Sequence, residues 1–397
     1  MQALERLHAA WQAETHIGRK ACLQAQKASW QIRWGDEEAA RSASSELRRA
    51  FAGQEFPRLS ATLCLVDGLL LDRQGLRLQA NDRFLRAKQM AQVCAVAEVQ
   101  AWSGAWLAHQ YGQLEQWALC APTLCEVLST VQRGHSEALW RVALTAANVF
   151  MRAGWPALAQ TWYARAREQA SRAGDGLAMG QVLHDVAVAQ VERFRRLAPL
   201  GALSSGPPLP QGDLAAAESL VAAASNYVSI SKSPALRALR PRLQWAQASL
   251  SMWRGASDLA LQTLARLTAP GRAQGEALSA DLLLQCQVDQ GWCLKDMSTL
   301  TALTGFMGSE ESWDGPSGVL TSLPTHLRWV TLQTACDVAS RHGHSGYDSR
   351  GVNPGLSLLH QARDQALADW RLSHQRLRAV LNANRLEPER WGMLYEP

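Results

Sequence analysis

The sequence predicts an all-α chain of stacked helical hairpins, and three observations carry that expectation. Apolar residues recur at helical spacing along almost the whole length. No alternating β-branched run is long enough for a sheet, and glycines break the pattern at a recurring interval. Gly35, Gly75, Gly112, Gly154, Gly212 and Gly255 stand 40, 37, 42, 58 and 43 residues apart. A recurrence of that length marks repeated supersecondary units, each a helix, a turn and a second helix. Glycine suits the turn because helices commonly end in a left-handed residue, which glycine adopts without a Cβ clash.

Taken in order, the chain opens on an amphipathic stretch, MQALERLHAAWQAE, without the basic start, apolar stretch and small-residue cleavage site of a secretory signal. A cytoplasmic, reducing location is therefore expected. The apolar run from Leu59 to Leu71 is interrupted by Asp67 and is too short to span a bilayer, so no membrane role is expected. Helical repeats are expected over 1–196. The 58-residue interval is explained by an insertion at 197–211, LAPLGALSSGPPLPQ, whose four prolines exclude a helix. Repeats resume over 212–342. A helix near Thr325–Arg341 leads into a glycine-rich loop at 343–354, and a long amphipathic helix, about Gly355–Asn384 within a C-terminal segment 355–397, caps the array.

Around the turns a pattern of sizes repeats. In EALWRVALTAANVFMRAGWPALAQTWYARARE a small residue, Ala147, precedes the turn at Gly154, and Ala159, Tyr163 and Ala166 follow it at offsets of five, nine and twelve. Gly75 has Gly68 before it and Ala80, Phe84 and Ala87 after it. Gly255 has Ala248, then Ala260, Leu264 and Leu267; Gly212 has Ala217, Val221 and Ala224; Gly35 has Ala28, Ala40, Ser44 and Leu47. Small residues allow helices to approach closely and the large one fills the gap beside them. This order resembles the tetratricopeptide repeat. The resemblance implies an α-solenoid of about six to eight antiparallel helix hairpins forming a right-handed superhelix. The chain departs from the pattern around Gly112, where Trp117 stands in place of Ala, and after Lys295, where MSTLTALTGFMGS keeps only the helical period.

Composition narrows the function. The chain is 47% apolar and only 19% charged, which favours extensive helix packing over disorder. The Ala, Arg, Leu and Trp usage has a bacterial cast. The net charge of +5 is spread thinly, with arginines singly along helices, so nucleic acid is not indicated. Eight cysteines form no CxxC pair, which removes zinc-ribbon and thioredoxin-like spacings. Phosphate-loop, dinucleotide, nucleophile-elbow and HExxH motifs are absent from the sequence. No catalytic residues, cofactor or metal are assigned.

The resemblance implies groove-facing positions at thirteen, ten, six, three and two residues before the turn glycine. Counted from Gly112 these give Trp102, Trp106, His109 and Gln110; from Gly154, Arg141, Asn148 and Arg152; from Gly255, Arg242, Trp245, Met252 and Trp253. Taking Lys295 as a turn adds Gln285, Asp289 and Trp292. Trp and Arg are the residue types enriched at binding hot spots, and the chain holds sixteen Trp against five Tyr and six Phe. The expected role is a non-enzymatic scaffold or adaptor that holds a partner peptide, helix or domain, as a homo-oligomer or a subunit of a larger complex. The same rings are also what helix packing would bury. Two other readings are open: a regulatory sensor module acting on a separate output protein, suggested by the long C-terminal helix, and an enzyme or accessory subunit. The last would use the pair His184 and Asp185 beside Glu192, or the loop holding His342, His344, Tyr347, Asp348 and Asn353.

Overall fold

The computed structural model describes residues 2–54, 56–131, 135–198, 210–269, 278–294, 323–343, 354–384, 386 and 388–394. In chain order its helices are α1 (Gln2–Ala13), α2 (Ile17–Trp34), α3 (Glu37–Ala50), α4 (Pro57–Arg73), α5 (Arg77–Val93) and α6 (Ala97–Gln113). They continue with α7 (Trp117–Thr130), α8 (Ser136–Arg152), α9 (Pro156–Arg172), α10 (Gly176–Leu197), α11 (Gln211–Ile230) and α12 (Pro234–Arg237). The last are α13 (Arg240–Trp253), α14 (Ser257–Thr268), α15 (Ala280–Leu294), α16 (Thr325–Gly343) and α17 (Pro354–Asn384), followed by a 3-10 turn at Pro388–Leu394. No strand occurs among the described residues, and the all-α expectation holds. None of the described helices is long and apolar enough to cross a membrane.

The chain divides into two compact units. One holds residues 1–182, 231–237 and 376–397, and the other holds 183–230 and 238–375. In the first unit each helix from α1 to α9 packs on its sequence neighbour, and the first helices of successive hairpins also meet, α2 on α4, α4 on α6 and α6 on α8. The turns share one hydrogen bond, from the residue after the left-handed one to the carbonyl five residues back. These bonds run from Asp36 to Gln31 (2.8 Å), Leu76 to Leu71 (3.0 Å), Gln116 to Tyr111 (2.9 Å) and Trp155 to Phe150 (3.0 Å). This bond satisfies a carbonyl that the helix end would otherwise leave open.

The left-handed residues of these turns are Gly35, Gly75, Glu115 and Gly154, so the true spacing is 40, 40 and 39 residues. Between α4 and α6 the arithmetic is transparent, because 17-residue helices alternate with three-residue turns. Two expected turn glycines are corrected. Gly112 lies within α6 rather than at the turn, and a Cβ there would meet Cys120 Sγ, Thr145 Cγ2 and Val149 Cγ2 at ordinary contact distances of 3.6 to 3.9 Å. Glu115 reverses the chain instead, at φ 55°. Gly212 is the second residue of α11 and closes no helix. At Glu115 the hydrogen bond defines the turn, and a non-glycine residue takes the left-handed position at a cost of about 1–2 kcal/mol.

The size pattern has the expected packing role. Ala28, Ala40, Ala80, Ala87, Ala147, Ala159 and Ala166 are fully buried. A Cβ at Gly68 would stand 2.5 Å from Phe84 Cε1, so the ring of α5 occupies the space that glycine leaves on α4. The end of α17 also belongs to the first unit. Asn384 O accepts from Cys125 Sγ (3.2 Å), Pro388 O accepts from Arg165 Nη1 (2.6 Å), and the Arg378 guanidinium lies 5.2 Å from the Trp155 ring.

In the second unit α11 packs on α13, α13 on α14 and α15, and α15 on α14 and α16. Its core includes Phe194, Val221, Trp245, Leu264 and Leu332. The turn at Gly255 repeats the first unit's bond, from Ala256 N–H to Ser251 O (2.9 Å). Burial pushes the thiols of Cys120, Cys293 and Cys336 up to about 12, so these side chains behave as small hydrophobes at neutral pH.

Candidate partner-binding face

The first unit stacks rings and guanidinium groups in alternation across α2, α5, α6 and α8. Arg33 lies 4.3 Å from the Trp30 ring and 5.3 Å from that of Trp140. Arg141 lies 4.2 Å from the Trp140 ring and 3.8 Å from that of Trp106. Trp106 in turn stacks on Phe84 at 5.9 Å. A desolvated cation over a ring contributes about 2 kcal/mol, so this layer fixes the helices that carry it. Trp102, Trp106, Gln110 and Arg141 are at most 7% exposed, and of these Trp106 and Arg141 belong to the layer.

Three of the first unit's groove candidates remain half-buried, His109, Asn148 and Arg152, near the C-terminal ends of α6 and α8. The His109 ring is edge-on to Trp106 at 5.8 Å. Asn148 Oδ1 accepts from Tyr163 Oη (2.6 Å), and Arg152 Nη1 donates to Gly112 O (3.0 Å) with its guanidinium 5.8 Å from the Trp117 ring. Each side chain is thus oriented by a neighbour while part of it reaches solvent. Behind them Gln110 Nε2 donates to Asp72 Oδ1 (2.6 Å), and burial raises the Asp72 carboxyl above its ordinary value against that bond and nearby Arg141.

Arg33 also joins distant parts of the unit. Its Nη1 donates to Glu137 Oε1 (2.9 Å) and its Nη2 to Asp175 Oδ2 (2.5 Å). Asp175 Oδ1 accepts from the N–H groups of Leu177 (3.1 Å) and Ala178 (3.0 Å), capping α10. One guanidinium and two backbone N–H groups thus serve Asp175, while Glu137, in the first turn of α8, shares the guanidinium. Burial pushes the Glu137 carboxyl up to about 7, with Arg33 opposing and Asp175 adding.

In the second unit most of the sequence candidates are buried, and Trp245 and Asp289 join an interior network. Arg195 donates to both oxygens of Asp289 (2.6 and 2.7 Å), and Trp245 Nε1 donates to Asp289 Oδ2 (3.0 Å). The Arg195 and Asp289 side chains are 4% and 0% exposed. Trp253 Nε1 donates to Ala198 O (3.2 Å), and Met252, Trp292 and Gln285 are buried. Neither amide atom of Gln285 has a protein partner among the described residues. Arg242 is half-buried and donates to Glu192 Oε1 (2.9 Å), whose other oxygen faces His326 Nε2 at 3.4 Å.

His184 Nδ1 pairs with Asp185 Oδ1 at 2.9 Å, while Glu192 is engaged with Arg242 and His326. Among the described residues no group of three His, Cys, Asp or Glu side chains gathers as a metal site would. The turn expected at Lys295, the segment after it, and His344, Tyr347, Asp348 and Asn353 lie outside the described residues, as does the side chain of His342. Sequence reasoning passed over Arg33 and Asp72, although the offsets of two and three residues, counted from Gly35 and Gly75, reach both. Arg195 was passed over because the glycine six residues after it, Gly201, falls in the proline-rich stretch read as an insertion and not at an expected turn. The chain matches no protein-family model and no curated protein sequence.

Proposed function

We propose that this chain is a non-enzymatic binding scaffold of tetratricopeptide type that holds a segment of a partner protein against the first helices of its hairpins. What supports the reading is the set of half-buried, pre-oriented polar side chains His109, Asn148 and Arg152 seated on the buried ring-and-guanidinium layer. Side chains already held in place lose little rotamer freedom on binding, which favours affinity. Arg, His and Asn together supply donors and acceptors for the backbone and carboxylates of an extended or helical segment. Trp102, Trp106 and Arg141 act on this reading as the support beneath the face. The tetratricopeptide assignment rests on the small-turn-small-large-small order. The repeat is about 34 residues in that family, and the 40-residue spacing here reflects longer helices.

The test is affinity capture with cross-linking mass spectrometry on the full chain, comparing wild type with a His109→Ala, Arg152→Ala variant. Cross-links concentrated on α6 and α8 and lost in the variant are expected. A partner cross-linked elsewhere and retained by the variant overturns the reading.

A further inference from the structure

We infer that the cleft between α3, α4 and α5 docks an acidic, amphipathic peptide segment of a partner protein. The inference rests on the scaffold reading but places a second site, on the opposite helices of the hairpins from His109 and Arg152. The cleft holds about 420 Å³ and has an apolar floor of Leu47, Phe51, Phe56, Leu59, Leu63 and Met90. Phe51 and Phe56 meet edge to face at 5.1 Å, which makes one wall rigid.

The rim is cationic. Arg48 from α3 is paired to Asp67 (2.6 Å), whereas Arg83 and Arg86, one turn apart and exposed on α5, have no partner among the described residues. The apolar floor and the two arginines without a partner among the described residues together call for a ligand with an apolar face and carboxylates. Because the two arginines without a partner stand one turn apart on the α5 wall, they match a pair of carboxylates flanking bulky side chains. A single-chain acyl carboxylate would need one cation at one end. A helical segment with Leu, Phe or Met at i and i+3 or i+4, bordered by Glu or Asp, meets both requirements.

The test is fluorescence anisotropy of the full chain with short labelled peptides: an amphipathic Leu/Phe/Glu helix, a scramble of it, and the same helix with Lys for Glu. Laurate serves as competitor. The acidic amphipathic peptide is expected to bind and to weaken as salt is added. It should bind the Arg83→Glu, Arg86→Glu variant about tenfold or more weakly, and Arg83→Gln, Arg86→Gln by an intermediate factor, with circular dichroism unchanged. The His109→Ala, Arg152→Ala variant should bind it as wild type does. Absence of binding, equal binding of the scrambled or basic peptide, or displacement by laurate overturns the inference. So does binding that ignores both arginine pairs. Binding lost only in the His109 and Arg152 variant also overturns it, and in that case the scaffold reading survives through the α6 and α8 face.

Discussion

Replacing Gly68 by alanine tests the packing rule on which the repeat is built, because two effects of opposite sign compete there. Gly68 lies inside α4 and is itself buried, and in a helix with free space Gly→Ala stabilises by about 0.5–1 kcal/mol. Here the new methyl would stand 2.5 and 2.6 Å from Phe84 Cε1 and Cδ1. The ring is fully buried and stacked on Trp106, so it has no exit. Overpacking of this kind costs about 1–3 kcal/mol, and the clash wins, leaving the variant about 1–2 kcal/mol less stable. Phe84→Leu alone also destabilises by opening a cavity, but in the double variant the smaller side chain makes room for the methyl. A double-mutant cycle by urea denaturation should therefore show a favourable coupling of about 1–2 kcal/mol. Gly212→Ala, at a site with nothing within 4 Å, should be neutral or stabilising. A neutral or stabilised Gly68→Ala, or additive effects in the cycle, would refute the reasoning.

Three further outcomes are expected. Asp289→Ala leaves Arg195 as a buried, uncompensated charge and should cost about 3–5 kcal/mol; urea denaturation followed by Trp fluorescence reads this, and adding Arg195→Met should recover much of the loss. Glu137 has a folded pKa of about 7, above its ordinary 4.5, so its contribution to stability is complete below about pH 4.5 and is lost as pH rises through 7. At about 1.4 kcal/mol for each pH unit between those values, wild type should lose up to about 3 kcal/mol relative to Glu137→Gln between pH 4 and 8. The loss will be less to the extent that the 21% exposed side chain is hydrated; urea midpoints at several pH values check both sign and size. Substituting Arg33 by Met should destabilise by a similar amount to the loss of Asp289, since it strands two carboxylates, and thermal denaturation of the single and Arg33→Met, Glu137→Gln variants would show partial rescue by the second change.

The helices and their pairing were legible because apolar period and turn glycines are local signals. Gly35, Gly75, Gly154 and Gly255 sit at left-handed turns as read. Glu115 was not legible, since nothing in a Glu side chain announces a left-handed backbone; only the hydrogen bond from Gln116 to Tyr111 reveals it. That three-residue displacement also shifts the groove offsets on α6: counted from Glu115 they retain Trp102 and His109 and release Trp106 and Gln110. Burial was the harder quantity. Trp245 and Asp289 read as groove residues from spacing alone, yet Arg195, 94 residues from Asp289 in the chain, completes a buried pair that spacing could not foresee.

The scaffold reading stands or falls on where a partner touches the first unit. Cross-linking mass spectrometry on the full chain with its captured partner measures this directly. The account predicts cross-links on α6 and α8 around His109, Asn148 and Arg152 that vanish in the His109→Ala, Arg152→Ala variant while its circular dichroism is unchanged. Cross-links that avoid these helices and persist in the variant would contradict it.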